Sequence, residues 1–151
     1  MDNLSGQQRS EVMSRIKGKD TKPELVIRKA LHTLGYRYRL HRRDLPGTPD
    51  IVFPKYKTAV FVNGCFWHFH ECELFQMPKT RTEWWRKKLE GNRRRDRKNL
   101  QVLMEKNWRV CIIWECFFRG KRKDRARRLE EAALRVRDFL SGHRSYLALC
   151  G

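Results

Sequence analysis

Apolar positions along the chain change period several times, and each change marks an element. Ile27, Ala30, Leu31 and Leu34 recur at i, i+3, i+4 and i+7, the spacing of one helical face, and Gly35 supplies a stop. Thr21-Lys22-Pro23-Glu24 precedes them with an N-cap residue, a first-turn proline and an acid at the third helical position, so a capping box and a helix over about 22–34 are expected. Tyr36, Tyr38 and Leu40 then alternate with Arg37, Arg39 and His41, a period of two that fits a strand with one buried face. Leu45-Pro46-Gly47-Thr48-Pro49 breaks that strand. Ile51-Val52-Phe53 and Thr58 to Val62 are short apolar runs separated by Pro54-Lys55-Tyr56-Lys57, and read as neighbouring buried strands.

Thr80-Arg81-Thr82-Glu83 offers a second capping box, followed by a long basic helix that runs to about Lys106, disturbed at Gly91-Asn92 and stopped at Asn107. The run Trp108 to Glu115 is the strongest strand signal and ends at Cys116. A last helix over about 124–140 carries Leu129, Ala133, Val136 and Leu140 on one face, with Gly142 after it and Cys150 in a mobile tail. Among the first twenty residues only Val12, Met13 and Ile16 cluster, which fits a short helix or a basic arm. The expected order is helix, helix, three strands, helix, strand, helix, an α/β chain with an arm over residues 1–20 and one globular domain over 21–151.

Composition changes this picture by naming a partner class. Lysine and arginine number 35 against 17 acidic residues, a formal net charge of +18. That excess in a short chain points to a polyanion, with nucleic acid foremost. Neither a signal peptide nor an apolar run long enough to span a bilayer is present, so the expected setting is intracellular and cytoplasmic, without membrane attachment. In that setting the five cysteines read as thiolates or metal ligands rather than a disulfide framework.

Candidate chemistry concentrates between Val60 and Cys72. Cys65-x4-His70-x-Cys72 offers three soft or borderline ligands, and a structural zinc needs four in a tetrahedron with no open position. Cys116, just past a strand end, can reach a loop leaving the end of a neighbouring strand and is the candidate fourth ligand, whereas Cys111 lies mid-strand and reads as core. Asp50 sits between a Pro-Gly turn and a strand, where a carboxylate can hold a divalent cation or simply serve the turn. The aromatics Phe66, Trp67 and Trp85 either cover the metal site and core or face a ligand. The Arg93-Arg94-Arg95-Asp96-Arg97-Lys98 run suits phosphate contact.

These segments together resemble a known family. Pro49-Asp50, Val60-Phe61-Val62-Asn63-Gly64-Cys65-Phe66-Trp67-His68, Thr80-Arg81-Thr82-Glu83-Trp84-Trp85 and Trp108-Arg109-Val110 through Trp114-Glu115-Cys116 are similar to the very short patch repair (Vsr) DNA mismatch endonucleases, over about Ser10 to Cys116. The resemblance implies a restriction-endonuclease-like fold, with a mixed central sheet flanked by helices and a structural zinc. It implies a monomeric Mg2+-dependent enzyme that nicks one strand of duplex DNA 5′ to the mispaired T of a T:G mismatch, in repair of deaminated 5-methylcytosine alongside other mismatch-repair proteins.

By the same resemblance Asp50 and the Val62 carbonyl hold Mg2+, and His68 is the catalytic histidine, with Glu24 an added acid near the site. Cys65, His70, Cys72 and Cys116 hold Zn2+, while Phe66, Trp67, Trp85 and Met13 enter the base stack. Asn63 stands where the best-known members carry a second histidine; an amide hydrogen-bonds but cannot titrate near neutrality. The competing reading is a non-catalytic, zinc-stabilised nucleic-acid-binding protein in which Asp50 only turns the chain.

Overall fold

The computed structural model describes residues 21–119 and 121–151. The expected N-terminal arm, with Met13, therefore lies outside the described residues. The first described helix, α1, spans Lys22–Thr33, and the strands are β1 (Arg39–Leu40), β2 (Ile51–Phe53), β3 (Thr58–Asn63), β4 (Arg109–Trp114) and β5 (Tyr146–Leu149). The other two described helices, α2 (Thr82–Glu105) and α3 (Arg122–Ser141), follow β3 and β4 respectively.

The five strands form one mixed sheet in the order β1-β2-β3-β4-β5. β1 to β3 form an antiparallel meander, joined at the second turn by a 3-10 helix, Pro54–Tyr56, and by Lys57 at φ 49°. β3 and β4 are parallel, with Val60 opposite Cys111 and Asn63 opposite Trp114, and α2 makes the long connection a parallel pair requires. β4 and β5 are also parallel, joined through α3.

Alternation along the strands sorts two cores. Ile51, Phe53, Val60, Cys111 and Ile113 pack with Ile27 and Leu31 of α1 and with Ala133, Val136 and Leu140 of α3. Val52 and Val110, on the opposite face, pack with Leu103 of α2 and the half-buried Phe61, Leu100 and Ile112. Helices thus cover both faces, and β3 and β4 in the middle read as continuous apolar runs because both of their faces are buried. Among the described residues no helix is long and apolar enough to cross a membrane.

The structure corrects four expectations and adds one contact that the sequence did not suggest. The strand drawn from Tyr36 to His41 shrinks to Arg39–Leu40, because Tyr36 and Tyr38 tuck edge-on against Phe53 and Leu40 is left 40% exposed. Neither capping box forms: Thr21 and Arg81 hold the N-cap positions without a side-chain cap bond, and Thr82 Oγ1 donates instead to the Pro78 carbonyl. α2 passes through Gly91-Asn92 unbroken. The element order gains a last strand, since the residues expected to be a mobile tail pair with β4 as β5. Finally, Arg109 donates to the carbonyls of Leu140, Phe139 and Arg144, tying the start of β4 to the end of α3 where cations suit the helix dipole.

Candidate active site and Cys/His centre

Two carboxylates from different elements meet at one end of the antiparallel meander. Asp50 immediately precedes β2, and its Oδ2 accepts the Val62 backbone N–H at 2.7 Å, so the β3 end that bears Val62 lies against it. Glu24 comes from the first turn of α1 and is 1% exposed. Its Oε2 accepts from Arg28 Nη1 at 3.0 Å and pairs with His41 Nε2 at 2.8 Å. Ligand atoms of Glu24, His41 and Asp50 all lie within 4.8 Å of one another.

Burial is the main cause that pushes the Asp50 carboxyl up to about 7, with Glu24 adding to it and the Val62 N–H and His41 opposing it. Paired, desolvated carboxylates in this arrangement need a proton or a cation between them. A hard divalent ion takes oxygen ligands of this kind, so the donor set fits one.

A cavity of about 410 Å³ joins Asp50, Val62 and His41 to Asn63, His68 and Asp96. His68 sits in the turn after β3, and its Nδ1 lies 2.5 Å from Asp96 Oδ2 of α2. That contact fixes the ring so that Nε2 is the atom available to the cleft. Asn63 ends β3 and is 7% exposed, lining the same cavity between Asp50 and His68. The structure thus gathers Asp50, Val62, Asn63 and His68 around one opening, with Glu24 buried beside Asp50 and His41. Two members, His41 and Asp96, escaped sequence reasoning. His41 looked like the polar half of a strand alternation, and Asp96 was hidden as the lone acid in a basic run.

The four expected thiol and imidazole ligands also converge. Ligand atoms of Cys65, His70, Cys72 and Cys116 lie within 4.8 Å of one another, with Cys116 Sγ 3.7 Å from His70 Nδ1. The His70 backbone N–H bonds the Cys65 carbonyl at 2.9 Å, closing the loop on itself, and Cys116 arrives in the 3-10 turn Glu115–Phe118 after β4. Burial pushes the Cys65 and Cys116 thiols up, so the closely packed sulfurs are protonated unless a cation takes the place of the protons. Three sulfurs and one nitrogen fit a tetrahedral zinc with no open position. Trp114, the last residue of β4, stacks on His70 with ring centroids 4.0 Å apart and meets His68 edge-on at 6.2 Å. The same side chain therefore props both the Cys/His centre and the cleft histidine.

Phe66, Trp67 and Trp85 form one aromatic block. Phe66 lies 5.1 Å from Trp67 and 5.4 Å from Trp85 between centroids, and Phe75 stacks behind it. All three are half-buried, whereas the adjacent Trp84 is 47% exposed, with the Arg81 guanidinium 4.8 Å over its ring. Arg94, Arg95, Arg97 and Lys98 stand exposed on α2, and Arg95 and Arg97 line depressions shared with His68 and Asp96. The block, the cleft and the basic helix adjoin: Trp67, His68, Arg95 and Asp96 line a single depression.

In sequence the chain is similar to known proteins. Residues 1–74 match the family described as DNA mismatch endonuclease Vsr. The chain is 49% identical over 115 residues to the type II nicking enzyme V.XorIIP of Xanthomonas oryzae pv. oryzae, an alignment covering 76% of this chain and 85% of that protein. It is 42% identical over 120 residues to the type II nicking enzyme V.NmeAIP of Neisseria meningitidis, covering 80% and 86%. With the DNA mismatch endonuclease Vsr of Escherichia coli K12 it shares 44% identity over 115 residues, covering 76% and 74%.

Proposed function

The chain belongs to the Vsr family of DNA mismatch endonucleases, and from that premise we propose that it nicks one strand of duplex DNA 5′ to the mispaired T of a T:G mismatch, with Mg2+ at Asp50 and a structural Zn2+ at Cys65, His70, Cys72 and Cys116. The observation that carries the reading is the single cleft in which Asp50 and the His68–Asp96 pair face one another. A non-catalytic nucleic-acid binder has no use for a desolvated carboxylate pair opposite an oriented imidazole. The helix, three-strand, helix, strand order supports a restriction-endonuclease-like fold for residues 21–151.

In this mechanism Asp50, the Val62 carbonyl and Glu24 would hold the divalent ion. Bound there, Mg2+ supplies charge that stabilises the attacking and leaving oxygens of the phosphoryl group. Asp96 keeps the proton on His68 Nδ1, so Nε2 accepts the proton of the attacking water. Asn63, at the end of β3 beside the cleft, donates its amide N–H to a phosphate oxygen or to that water. The Cys/His centre holds the loop 65–72 rigid, which fixes His68 and the aromatic block in one frame.

Phe66, Trp67 and Trp85 unstack bases beside the mismatch. Opening a step costs a few kcal/mol, least where pairing is already weak, so a T:G pair is opened more readily than a matched one. Exposed arginines and lysines of α2 neutralise phosphates and orient the duplex. A panel of end-labelled duplexes, one matched and the rest each with a different mismatch, incubated with Mg2+ and then with a chelator, tests reaction, substrate and ion together. A nick confined to the T strand of T:G duplexes and lost on chelation is expected; equal cutting of matched duplex would refute the assignment.

A further inference from the structure

His41 is bound to the carboxylate site by two hydrogen bonds and stands within its ligand group. Its backbone N–H donates to the Asp50 carbonyl at 3.1 Å, its Nε2 pairs with Glu24 Oε2 at 2.8 Å, and its ligand atoms stand with both carboxylates inside a 4.8 Å group. Its backbone has φ 48°, a left-handed conformation that costs a residue with a side chain some strain. The strain ends β1 after Leu40 and turns the imidazole inward, where it is 17% exposed. Continued as a strand, residue 41 would follow the period of two and carry a side chain across the sheet edge instead.

We propose that His41 is a positioning residue of the nuclease site: it clamps Glu24 of α1 to the Asp50 segment and so sets the affinity of the site for its divalent cation. The proposal rests on the cation-dependent reading given above and names a residue that it leaves unused. Its logic is electrostatic. Glu24 and Asp50 come from elements 26 residues apart in sequence and repel when both are ionised, so a donor that ties their elements together keeps the pair in register for a cation. Arg28 holds Glu24 within its own helix, at i and i+4. His41 reaches both elements, through its side chain to Glu24 and its main chain to Asp50.

Groups that hold metal-binding side chains in place commonly change affinity by about 10–100-fold when removed. Two substitutions separate a side-chain role from a backbone role. Asparagine adopts the left-handed backbone readily but is too short to reach Glu24, whereas glutamine keeps an N–H donor at a length closer to that of Nε2. The test is Mn2+ titration of the zinc-loaded full chain followed by electron paramagnetic resonance, with nicking of a T:G duplex measured across the same ion range.

His41→Asn is expected to bind Mn2+ about 10–100-fold more weakly, with its nicking rate recovering to within a few-fold at saturating ion. His41→Gln is expected to stay within a few-fold of the parent in affinity. Parent-like affinity in His41→Asn, or equal loss in both variants, overturns the proposal. Asp50→Ala runs alongside: if it binds Mn2+ as tightly as the parent, the cation site itself is misassigned, whereas its failure to bind beside a parent-like His41→Asn removes only the role given to His41.

Discussion

The imidazole of His68 and the carboxylate of Asp96 stand 2.5 Å apart, linking the turn after β3 to the middle of α2 across the mouth of the cleft. Neither partner is deeply buried: the side chains are 30% and 38% exposed. The pair is therefore worth little as a stabilising contact and is better understood as an orienting one.

Loss of that orientation is expected to appear in turnover rather than in folding or DNA affinity. His68→Ala should lower the nicking rate by about 10²–10⁴, the usual share of a general base. Asp96→Asn, which lets the ring adopt the other tautomer, should lower it by a smaller factor with Kd for the duplex unchanged. Single-turnover nicking and a binding titration on the same T:G duplex separate these. An unchanged rate in Asp96→Asn would remove the dyad from the mechanism.

Asp50 carries the opposite relation between stability and function. Burial raises its carboxyl to about 7 in the folded chain, against about 3.9 for an ordinary aspartate. Between those values the folded chain keeps a proton that the unfolded chain has released, so the contribution to stability is full below about pH 4 and is lost as pH rises to about 7. Metal-free protein should melt at progressively lower temperature across that window, and added Mg2+ should restore most at the upper end, where no proton competes. Asp50→Asn should abolish nicking, flatten this part of the pH dependence, and stabilise the metal-free protein at neutral pH by on the order of 1–3 kcal/mol. Thermal melts at a series of pH values, with and without Mg2+, check all three.

Much of this was legible in the residues, and the boundary of legibility is physical. The i, i+3, i+4, i+7 pattern of α1, the apolar runs of β2, β3 and β4 and the apolar stripe of α3 report local period, which sequence carries directly. The Cys/His set was readable because its chemistry is rare and three of its members fall within eight residues. β5 was not: Tyr146–Leu149 is four residues long and owes its order to pairing with β4.

The capping boxes failed for a related reason. The Thr21-to-Glu24 spacing is real, but Glu24 turns inward to His41 and Arg28, and a tertiary ion cluster outbids a local hydrogen bond. His41 and Asp96 belong to no motif at all. Their roles exist only once β1 lies beside β2 and α2 lies across β3.

The Cys/His centre should behave as a folding element. Cys116→Ser, or a strong chelator, is expected to cost most of the order of loop 65–72 and with it DNA cleavage, since structural zinc in small zinc-folded peptides supplies about 10–16 kcal/mol of apparent binding free energy. The chain end adds support: the Gly151 N–H donates to Cys116 Sγ at 3.3 Å, and a Cβ at position 151 would fall 2.5 Å from the Cys116 carbonyl oxygen. Gly151→Ala should therefore push the end of the chain off the thiolate and release zinc about tenfold faster or more, in line with the loss of a hydrogen bond to a ligand. Zinc release to a colorimetric chelator measures it, and a parent-like rate would reduce Gly151 to a bystander.

Affinity and mismatch selectivity should come apart, because different residues supply them. Exposed α2 cations such as Arg97 and Lys98 can meet phosphates, which are the same in every duplex. Each phosphate contact removed should lower the slope of log K against log salt by about 1 and weaken matched and mismatched duplexes alike. Phe66, Trp67 and Trp85 are packed against one another in a half-buried block, so they present a preformed edge rather than mobile rings. Their stacking on bases is worth about 1–3 kcal/mol per base and depends on how readily the step opens. Trp67→Ala should then leave the salt slope intact, cut the preference for T:G over matched duplex by about 5–100-fold, and abolish the fluorescence rise of a 2-aminopurine placed beside the mismatch. Arg97→Ala should do the reverse, with a shallower salt slope and an unchanged preference. If Trp67→Ala instead weakened both duplexes equally, the block would be a cover for loop 65–72, and discrimination would have to arise from the cleft itself.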